Sequence, residues 1–255
     1  KYVLDTQHNI PEYKNFDNIE DLYSVIDDID VAIVCTPTKT HFEIVKYLLS
    51  NNVNVLVEKP LTTKLSEAVE LYNLAEKNKL VLLTDHTFLY NTSVLYINDL
   101  IKSGEIGDLL HISFERTNLG PIRSDVSCLW DLATHDISIM NALIEDQVES
   151  YSSAGYKNSK NSNYDMVNIS INFPKKFVSI FASWLHPEKS RKVKSGPAST
   201  NLPDFAKMTS TGKSGRRQDT LNKPYGTEFD SDPFRESADT TSSTPKLTIG
   251  LVKTL

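Results

Sequence analysis

Apolar runs and helical patterns alternate along the first third of the chain. Short apolar runs at residues 31–35, 53–57 and 80–83 have the length and composition of buried strands. Segments 40–51 and 66–78, which lie between these runs, repeat apolar residues at helical spacing. Strands that alternate with helices across short loops predict an α/β, Rossmann-type parallel sheet with helical crossovers.

After residue 91 the pattern changes to helices and strands of alternating polarity. Residues 92–102 and 129–144 have the spacing of helices. Strand-like alternation occurs at residues 109–117, 148–155, 165–173 and 177–184. Because the last three follow one another without helices, the pattern favours an α+β domain with an open, mostly antiparallel sheet.

The chain changes again near residue 188. From there it is rich in Ser, Thr, Lys, Gly, Pro and Asp, and its apolar residues are isolated until residues 247–255 regain a strand-like pattern. A segment of this composition buries little apolar surface, which favours disorder. We therefore predict a partial Rossmann domain at residues 1–90, an incomplete α+β substrate domain at 91–187 and a disordered tail at 188–255.

Charge and cysteine content narrow the classes of function. The formal net charge is -6, whereas a nucleic-acid-binding protein needs a basic face. No apolar run approaches the roughly 20 residues of a membrane span. Cys35 and Cys128 are the two cysteines, and neither has the spacing of a metal ligand. These features predict a cytoplasmic protein with reduced thiols, and neither nucleic acid nor membrane as a partner.

A first candidate cluster follows the strand at residues 31–35. It contains Thr36, Pro37, Thr38 and His41. Open α/β sheets bind ligands at the carboxyl ends of their strands, where free backbone N–H groups begin the next helix. The cluster therefore predicts a cofactor contact, and the alternative is an ordinary strand–turn–helix connection capped by Thr40.

A second cluster, Glu58 and Lys59, follows the strand at residues 53–57. Charged residues directly after a buried strand are costly to desolvate unless they are paired or used. A lysine at this position can hydrogen-bond a substrate hydroxyl or a ribose. The alternative is a solvated strand end.

A third cluster contains Asp131 and His135. Residues four apart share one face of a helix, and histidine titrates near neutral pH, so the pair suits proton transfer. A structural or capping role stays open. A metal site would need a third ligand, and the sequence offers no obvious one, so we predict no metal.

Four further polar residues are candidates for substrate contacts. His86 follows the strand at residues 80–83, although a buried, hydrogen-bonded histidine is an alternative. Arg116, Asn118 and Arg123 lie between a predicted strand and the Asp131 helix. They are suited to polar or anionic substrate groups, or they are simply loop residues.

In order and spacing, the clusters resemble the glucose–fructose oxidoreductase, inositol dehydrogenase and rhizopine-catabolism superfamily. The matching segments are DVAIVCTPTKTH (30–41), VLVEKP (55–60), HTFLYN (86–91) and WDLATHD (130–136). Each segment is weak alone, and their succession is specific. The resemblance covers about residues 17–187.

This resemblance implies an N-terminal Rossmann domain, a C-terminal α+β domain and hydride transfer between NAD or NADP and a hydroxyl-bearing carbon of a sugar, sugar nucleotide or cyclitol. It implies that the first cluster, Glu58 and Lys59 lie by the cofactor. Lys59, Asp131 and His135 would be catalytic, with His135 as the general acid/base. It also implies a homo-oligomer formed through the open sheet.

The sequence departs from the family at its N-terminal side. Residues 1–30 contain no glycine, so the Gly-rich dinucleotide fingerprint expected on the first Rossmann strand is absent. The chain is therefore expected to lack part of the family's fold at both ends. The alternative function is an inactive fragment, or a relative that binds a sugar or a protein without the dinucleotide.

Overall fold

The computed structural model describes residues 2–5, 11–16, 19–158, 163–197 and 248–252. The chain divides into two units, residues 1–86 with 239–255 and residues 87–238. The division after residue 86 lies close to the predicted domain boundary after residue 90. The end of the chain belongs to the first unit, although the sequence analysis assigned it to a separate tail.

The first unit contains a six-stranded sheet and two helices. Its strands are β1 (Tyr2–Asp5), β2 (Lys14–Phe16), β3 (Val31–Val34), β4 (Asn54–Glu58), β5 (Leu82–Asp85) and β11 (Thr248–Val252), and its helices are α1 (Thr38–Ser50) and α2 (Leu65–Asn78). The strand order is β2-β1-β11-β3-β4-β5. Strands β3, β4 and β5 are parallel, which confirms the predicted Rossmann-type sheet.

Burial alternates along the parallel strands because helices pack on one of their faces. Residues that share near-complete burial on this side are Ala32, Val34, Val55 and Val57 on the strands and Val45, Leu48 and Leu49 on α1. Their neighbours Val31, Ile33 and Leu56 are half-buried. The apolar runs of the sequence therefore contain both fully buried and half-buried residues, and only the fully buried ones form the centre of this core.

Helix α1 begins earlier than predicted. It starts at Thr38 after Pro37, which makes no side-chain cap. The hydroxyl of Thr40 donates 2.8 Å to the backbone oxygen of Pro37 and lies 2.7 Å from the hydroxyl of Thr36. Thr40 is thus inside the first turn, and the prediction that it caps the helix is wrong.

The centre of the first sheet is occupied by the last described strand of the chain. Strand β11 pairs with β1 on one side and β3 on the other, antiparallel to both. Its neighbours run parallel to one another, and the strand order reverses here, as at the switch point of doubly wound sheets. The strand-like pattern near the end of the sequence therefore belongs to this sheet.

The second unit is built from two helices and a five-stranded sheet. Its elements are α3 (Thr92–Lys102), β6 (Leu109–Thr117), α4 (Thr134–Leu143), β7 (Ser150–Tyr156), β8 (Met166–Phe173), β9 (Lys176–Ser183) and β10 (Ser190–Pro197). The strand order is β10-β6-β9-β8-β7, with β6 and β9 parallel and the other pairs antiparallel. This arrangement confirms an open, mostly antiparallel sheet.

The core of the second unit lies between its sheet and its helices. On β8, burial follows the two-residue period of a strand, and the buried residues are Val167, Ile169, Ile171 and Phe173. They belong to one apolar cluster with Val94 and Ile97 of α3 and Ile139, Met140 and Leu143 of α4. Strand β7 is exposed along its whole length.

Strand β10 corrects the prediction of a disordered tail from residue 188. It pairs with β6 over Ser190–Pro197. No alternating pattern is present in this segment because Val193 is the only large apolar residue of the strand. An edge strand of this kind is held by backbone pairing, which leaves no polarity signal. The tail residues 198–247 and 253–255 lie outside the described residues.

One ion pair is enclosed within the second unit. The guanidinium of Arg116, on β6, donates to both carboxylate oxygens of Asp136, on α4, at 2.6–3.1 Å. The two residues are 5% and 2% exposed. The hydrogen-bond geometry of such a pair compensates for the desolvation of its two charges. If either member were removed, the other would remain as an unpaired, desolvated charge.

We predict that Asp136→Ala lowers the free energy of unfolding of the second unit by about 3–5 kcal/mol, because Arg116 would remain buried without its carboxylate. Chemical denaturation, followed by near-UV circular dichroism to which Trp184 contributes, measures the loss. The control is Asp146→Ala, which breaks the more exposed ion pair between Asp146 and Lys176. This change should cost no more than about 1 kcal/mol. Equal losses in the two variants would contradict the assignment.

Candidate functional site

Predicted site residues of the first unit meet at one edge of its sheet. Thr36 follows β3, Glu58 ends β4, and Lys59 comes next. Glu58 is the register partner of Asp85, the last residue of β5, and His86 follows it. Because the three strands are parallel, their carboxyl ends place these residues side by side, at the edge where α/β sheets bind ligands.

His41 holds two of the turns at this edge together. Its Nε2 lies 2.8 Å from the backbone oxygen of Thr36, and its Nδ1 lies 3.0 Å from that of Pro60. The ring is 1% exposed. His41 therefore connects the turn after β3 to the turn after β4, and these two contacts stabilise the carboxyl edge of the sheet. Direct contact between His41 and a cofactor, as the resemblance implies, stays a prediction.

The turn after β4 carries the charged pair of the second cluster. The backbone N–H of Lys59 donates 3.1 Å to the Glu58 carboxylate, and the Lys59–Pro60 peptide bond is cis. Both side chains are half-buried. Thr36 and Thr38 are nearly enclosed, at 5% and 7% exposure, so direct contact between their side chains and a ligand stays a prediction.

His86 lies at the same edge as a neutral imidazole. Burial lowers its pKa, the Lys59 cation acts in the same direction, and Asp85 opposes them. Its Nδ1 is enclosed and has no hydrogen-bond partner among the described residues. The alternative that His86 is a fully hydrogen-bonded buried histidine is therefore wrong at Nδ1.

In the second unit, Asp131 is fixed from two sides. It lies in a π-helical turn, Leu129–Ala133, that continues directly into α4. One carboxylate oxygen accepts from Nη1 of Arg123 at 3.1 Å, and the other accepts from Nε1 of Trp184 at 3.2 Å. Sequence reasoning did not identify Trp184 as a partner of Asp131, although a buried indole N–H generally has a partner.

Arg123, which binds Asp131, also binds a second carboxylate. It donates to both oxygens of Asp125 at 3.0 and 2.6 Å. The Arg123 cation lowers the pKa of Asp125, and hydrogen bonding to Asp125 raises the pKa of Arg123. Arg123 is thus a loop residue positioned by two acidic partners, and its contact with a substrate stays a prediction.

His135 is the second residue of α4. Its ring packs against Phe88 with 4.8 Å between ring centroids and an interplanar angle of 70°. The backbone oxygen of His135 accepts a hydrogen bond from the hydroxyl of Ser138 at 2.7 Å. The sequence analysis did not single out Phe88, because an aromatic residue in a polar segment resembles ordinary core.

Arg116 and Asn118 differ from the expected loop contacts. Arg116 is the penultimate residue of β6, and its guanidinium bonds Asp136 in the core. Burial raises the pKa of Asp136, and the guanidinium groups of Arg116 and Arg191 counteract this. The backbone N–H of Asn118 donates to Ser183 at 2.9 Å, and its side chain packs against Gly120.

The predicted residues therefore form two sets. Thr36, Pro37, Thr38, His41, Glu58, Lys59 and His86 belong to the first unit, and Arg116, Asn118, Arg123, Asp131 and His135 belong to the second. Within the described ranges, no group of three or more His, Cys, Asp or Glu side chains is arranged to hold a metal ion. No helix in these ranges is long and apolar enough to cross a membrane.

Two family models match successive parts of the chain. Residues 4–86 match the model described as an oxidoreductase family with an NAD-binding Rossmann fold. Residues 94–196 match the model of the GFO/IDH/MocA C-terminal domain. The second match includes most of strand β10, in agreement with its place in the sheet.

A curated relative covers part of the chain. The uncharacterized oxidoreductase YhhX of Escherichia coli K12 is 33% identical over 108 residues, which is 42% of this chain and 31% of YhhX. The chain thus spans about a third of the length of this relative in the matched region.

Solved structures of similar fold extend over more of the chain. The WlbA dehydrogenase of Bordetella pertussis, in complex with NADH and UDP-GlcNAcA, gives a TM-score of 0.70 at 15% identity and covers 77% of this chain and 63% of its own. An inositol dehydrogenase homologue of Azotobacter vinelandii, with NADH and myo-inositol, gives 0.68 at 19% identity, covering 72% and 53%. At these identities the similarity establishes the fold alone.

The two family models follow each other in the order of the two structural units, and together they span most of the described residues. The parallel strands β3, β4 and β5 of the first unit agree with the Rossmann fold that the first description names. The chain therefore belongs to the GFO/IDH/MocA family of oxidoreductases.

Proposed function

We propose that this chain carries the reacting part of an NAD- or NADP-dependent dehydrogenase that acts on a hydroxyl of a sugar, sugar nucleotide or cyclitol. The observation that carries the proposal is the Asp131 carboxylate, held by Arg123 and Trp184 one helical turn before His135. The two similar structures are complexes of NADH with UDP-GlcNAcA and of NADH with myo-inositol, which supports this substrate class.

The carboxyl edge of the first sheet fits a dinucleotide. The amino-terminal end of α1 opens there after Thr36 and Pro37, and free N–H groups at such an end favour anionic groups. Thr38 contributes to this first turn, and Glu58 and Lys59 flank it from the next strand. When bound, a nicotinamide supplies the hydride acceptor or donor.

Residues of this chain would supply the proton chemistry. Oxidation of a hydroxyl requires removal of its proton while hydride leaves the same carbon. In this proposal the imidazole of His135 takes that proton, and Asp131 stabilises the imidazolium that forms. The ammonium of Lys59 stabilises the negative charge that develops on the substrate oxygen. His86, which stays neutral, is suited to hydrogen-bond another substrate hydroxyl.

A second candidate function is sugar binding without turnover. It is favoured by the antiparallel strand β11, which lies at the switch point, where a Rossmann sheet has its first strand and Gly-rich turn. This candidate requires no dinucleotide affinity, so measurements of the cofactor site separate the two functions.

We predict that His135→Ala lowers kcat by roughly 10²–10⁴-fold, because a positioned acid/base contributes about this much. Lys59→Ala should also lower kcat. Production of reduced nicotinamide from NAD or NADP is followed by absorbance with UDP-sugars, UDP-sugar acids and myo-inositol. The control is His111→Ala, on the exposed side of β6. Turnover by His135→Ala at the wild-type rate would contradict the assigned role.

We predict that a bound dinucleotide shields Cys35 from alkylation. The thiol is exposed and directly follows β3 at the proposed cofactor edge. Burial, then Glu58 and Asp85, raises its pKa, so its thiolate fraction and its alkylation rate grow as pH rises towards that pKa. Glu58→Gln removes one negative charge, lowers the pKa of Cys35 and should speed alkylation roughly two- to fivefold near neutral pH.

The second thiol provides an internal control, since it is buried with a pKa raised to about 12 and should stay unmodified. Mass spectrometry distinguishes Cys35 from Cys128 in the same sample. Alkylation of Cys35 at one rate with and without saturating NADH would contradict a dinucleotide at this edge.

A further inference from the structure

Phe88 contacts both the proposed catalytic histidine and two cations. The His135 ring meets it nearly edge-on, with 4.8 Å between ring centroids. The guanidinium carbon of Arg116 lies 4.4 Å from the centroid of Phe88, and that of Arg191 lies 5.8 Å from it. The Phe88 ring is therefore a neighbour shared by the histidine and the two arginines.

The two arginines are neighbours in the sheet. Arg116 on β6 and Arg191 on β10 are register partners of an antiparallel pair, so their side chains leave the same face of the sheet. Together with Phe88, Asn91 and Asp136 they line a small cavity of about 30 Å³, which is room for one water molecule. The cavity is too small for a sugar, so this cluster is not a second substrate site.

Arg116 is held rigidly by its buried partner. Three hydrogen bonds at 2.6–3.1 Å join it to Asp136. Asp136 is the residue directly after His135 on α4. The contacts thus form a closed ring that runs from His135 through Phe88 and Arg116 to Asp136 and back to His135 through the backbone.

We infer that Phe88 is a positioning residue for His135, and that the Arg116–Asp136 pair acts on the reaction through Phe88. The inference rests on the proposed function only for the role of His135 as acid/base. It replaces the expected substrate contact of Arg116 with an indirect role.

The physical reason lies in the freedom of the imidazole. A helix fixes the Cα of His135, whereas the last side-chain torsion of histidine has a broad energy minimum. The ring orientation therefore depends on its packing neighbours. Because proton transfer needs a donor and acceptor in register, a displacement of about 1 Å costs on the order of 10²-fold in rate.

The contact ring is tested first without turnover, by NMR of the full chain labelled in its histidine rings. The His135 signal is assigned with His135→Gln. Phe88→Leu should shift this signal, because the aromatic ring current is lost, and Arg116→Lys should shift it too, because the planar group that holds Phe88 is lost. Unchanged His135 signals in both variants would overturn the inference.

His111 is the matched control. It stacks on Phe177 with 5.7 Å between centroids and an interplanar angle of 14°. It is not part of the set of contacts that joins His135, Phe88, Arg116 and Asp136. Phe177→Leu should shift the His111 signal and leave that of His135 in place, while Phe88→Leu should do the reverse. Movement of both signals in every variant would indicate a general loss of structure and contradict a specific contact.

Turnover then tests the functional consequence. Phe88→Leu should lower kcat about 10–100-fold with KM within about twofold of wild type, and Phe88→Tyr, which keeps the ring, should restore kcat. Wild-type kcat in Phe88→Leu would overturn the positioning role. If wild type itself shows no turnover while the variants shift the His135 signal as expected, the dehydrogenase proposal fails and the contact between Phe88 and His135 stands.

Discussion

The bidentate ion pair between Arg116 and Asp136 is the interaction on which the second unit's candidate site depends. Both charges are desolvated, so either one alone would be strongly unfavourable. The pair joins the sheet to α4 at the residue after His135, and Arg116 also supports the Phe88 ring. One buried interaction therefore fixes the register of α4 on the sheet and the surroundings of the proposed acid/base.

A corresponding constraint organises the carboxyl edge of the first unit. The His41 ring, bound to the backbone oxygens of Thr36 and Pro60, couples the turns after two neighbouring strands. The cofactor proposal depends on this coupling, because the amino-terminal end of α1 and Lys59 belong to the two turns that it joins. In both units, the residues expected to react are held by buried polar contacts beneath them.

The sequence predicted most helices and strands of residues 30–187 because their apolar periods report burial directly. It did not predict β10, whose stability comes from backbone pairing, or the place of β11 in the first sheet, since strand order between distant segments has no local signal. Candidate residues were found by type and position along the chain. Their partners were not: nothing local indicates that Arg116 faces Asp136, or that Trp184 binds Asp131.

Whether this chain holds a nicotinamide dinucleotide tests the account most directly. Fluorescence titration of the purified, folded chain with NADH and NADPH measures it, alongside Lys59→Ala and the surface control Lys64→Ala, whose partner is Glu67. The account predicts saturable binding that Lys59→Ala weakens and Lys64→Ala leaves unchanged. No binding by the folded chain, or equal binding by all three proteins, would contradict it.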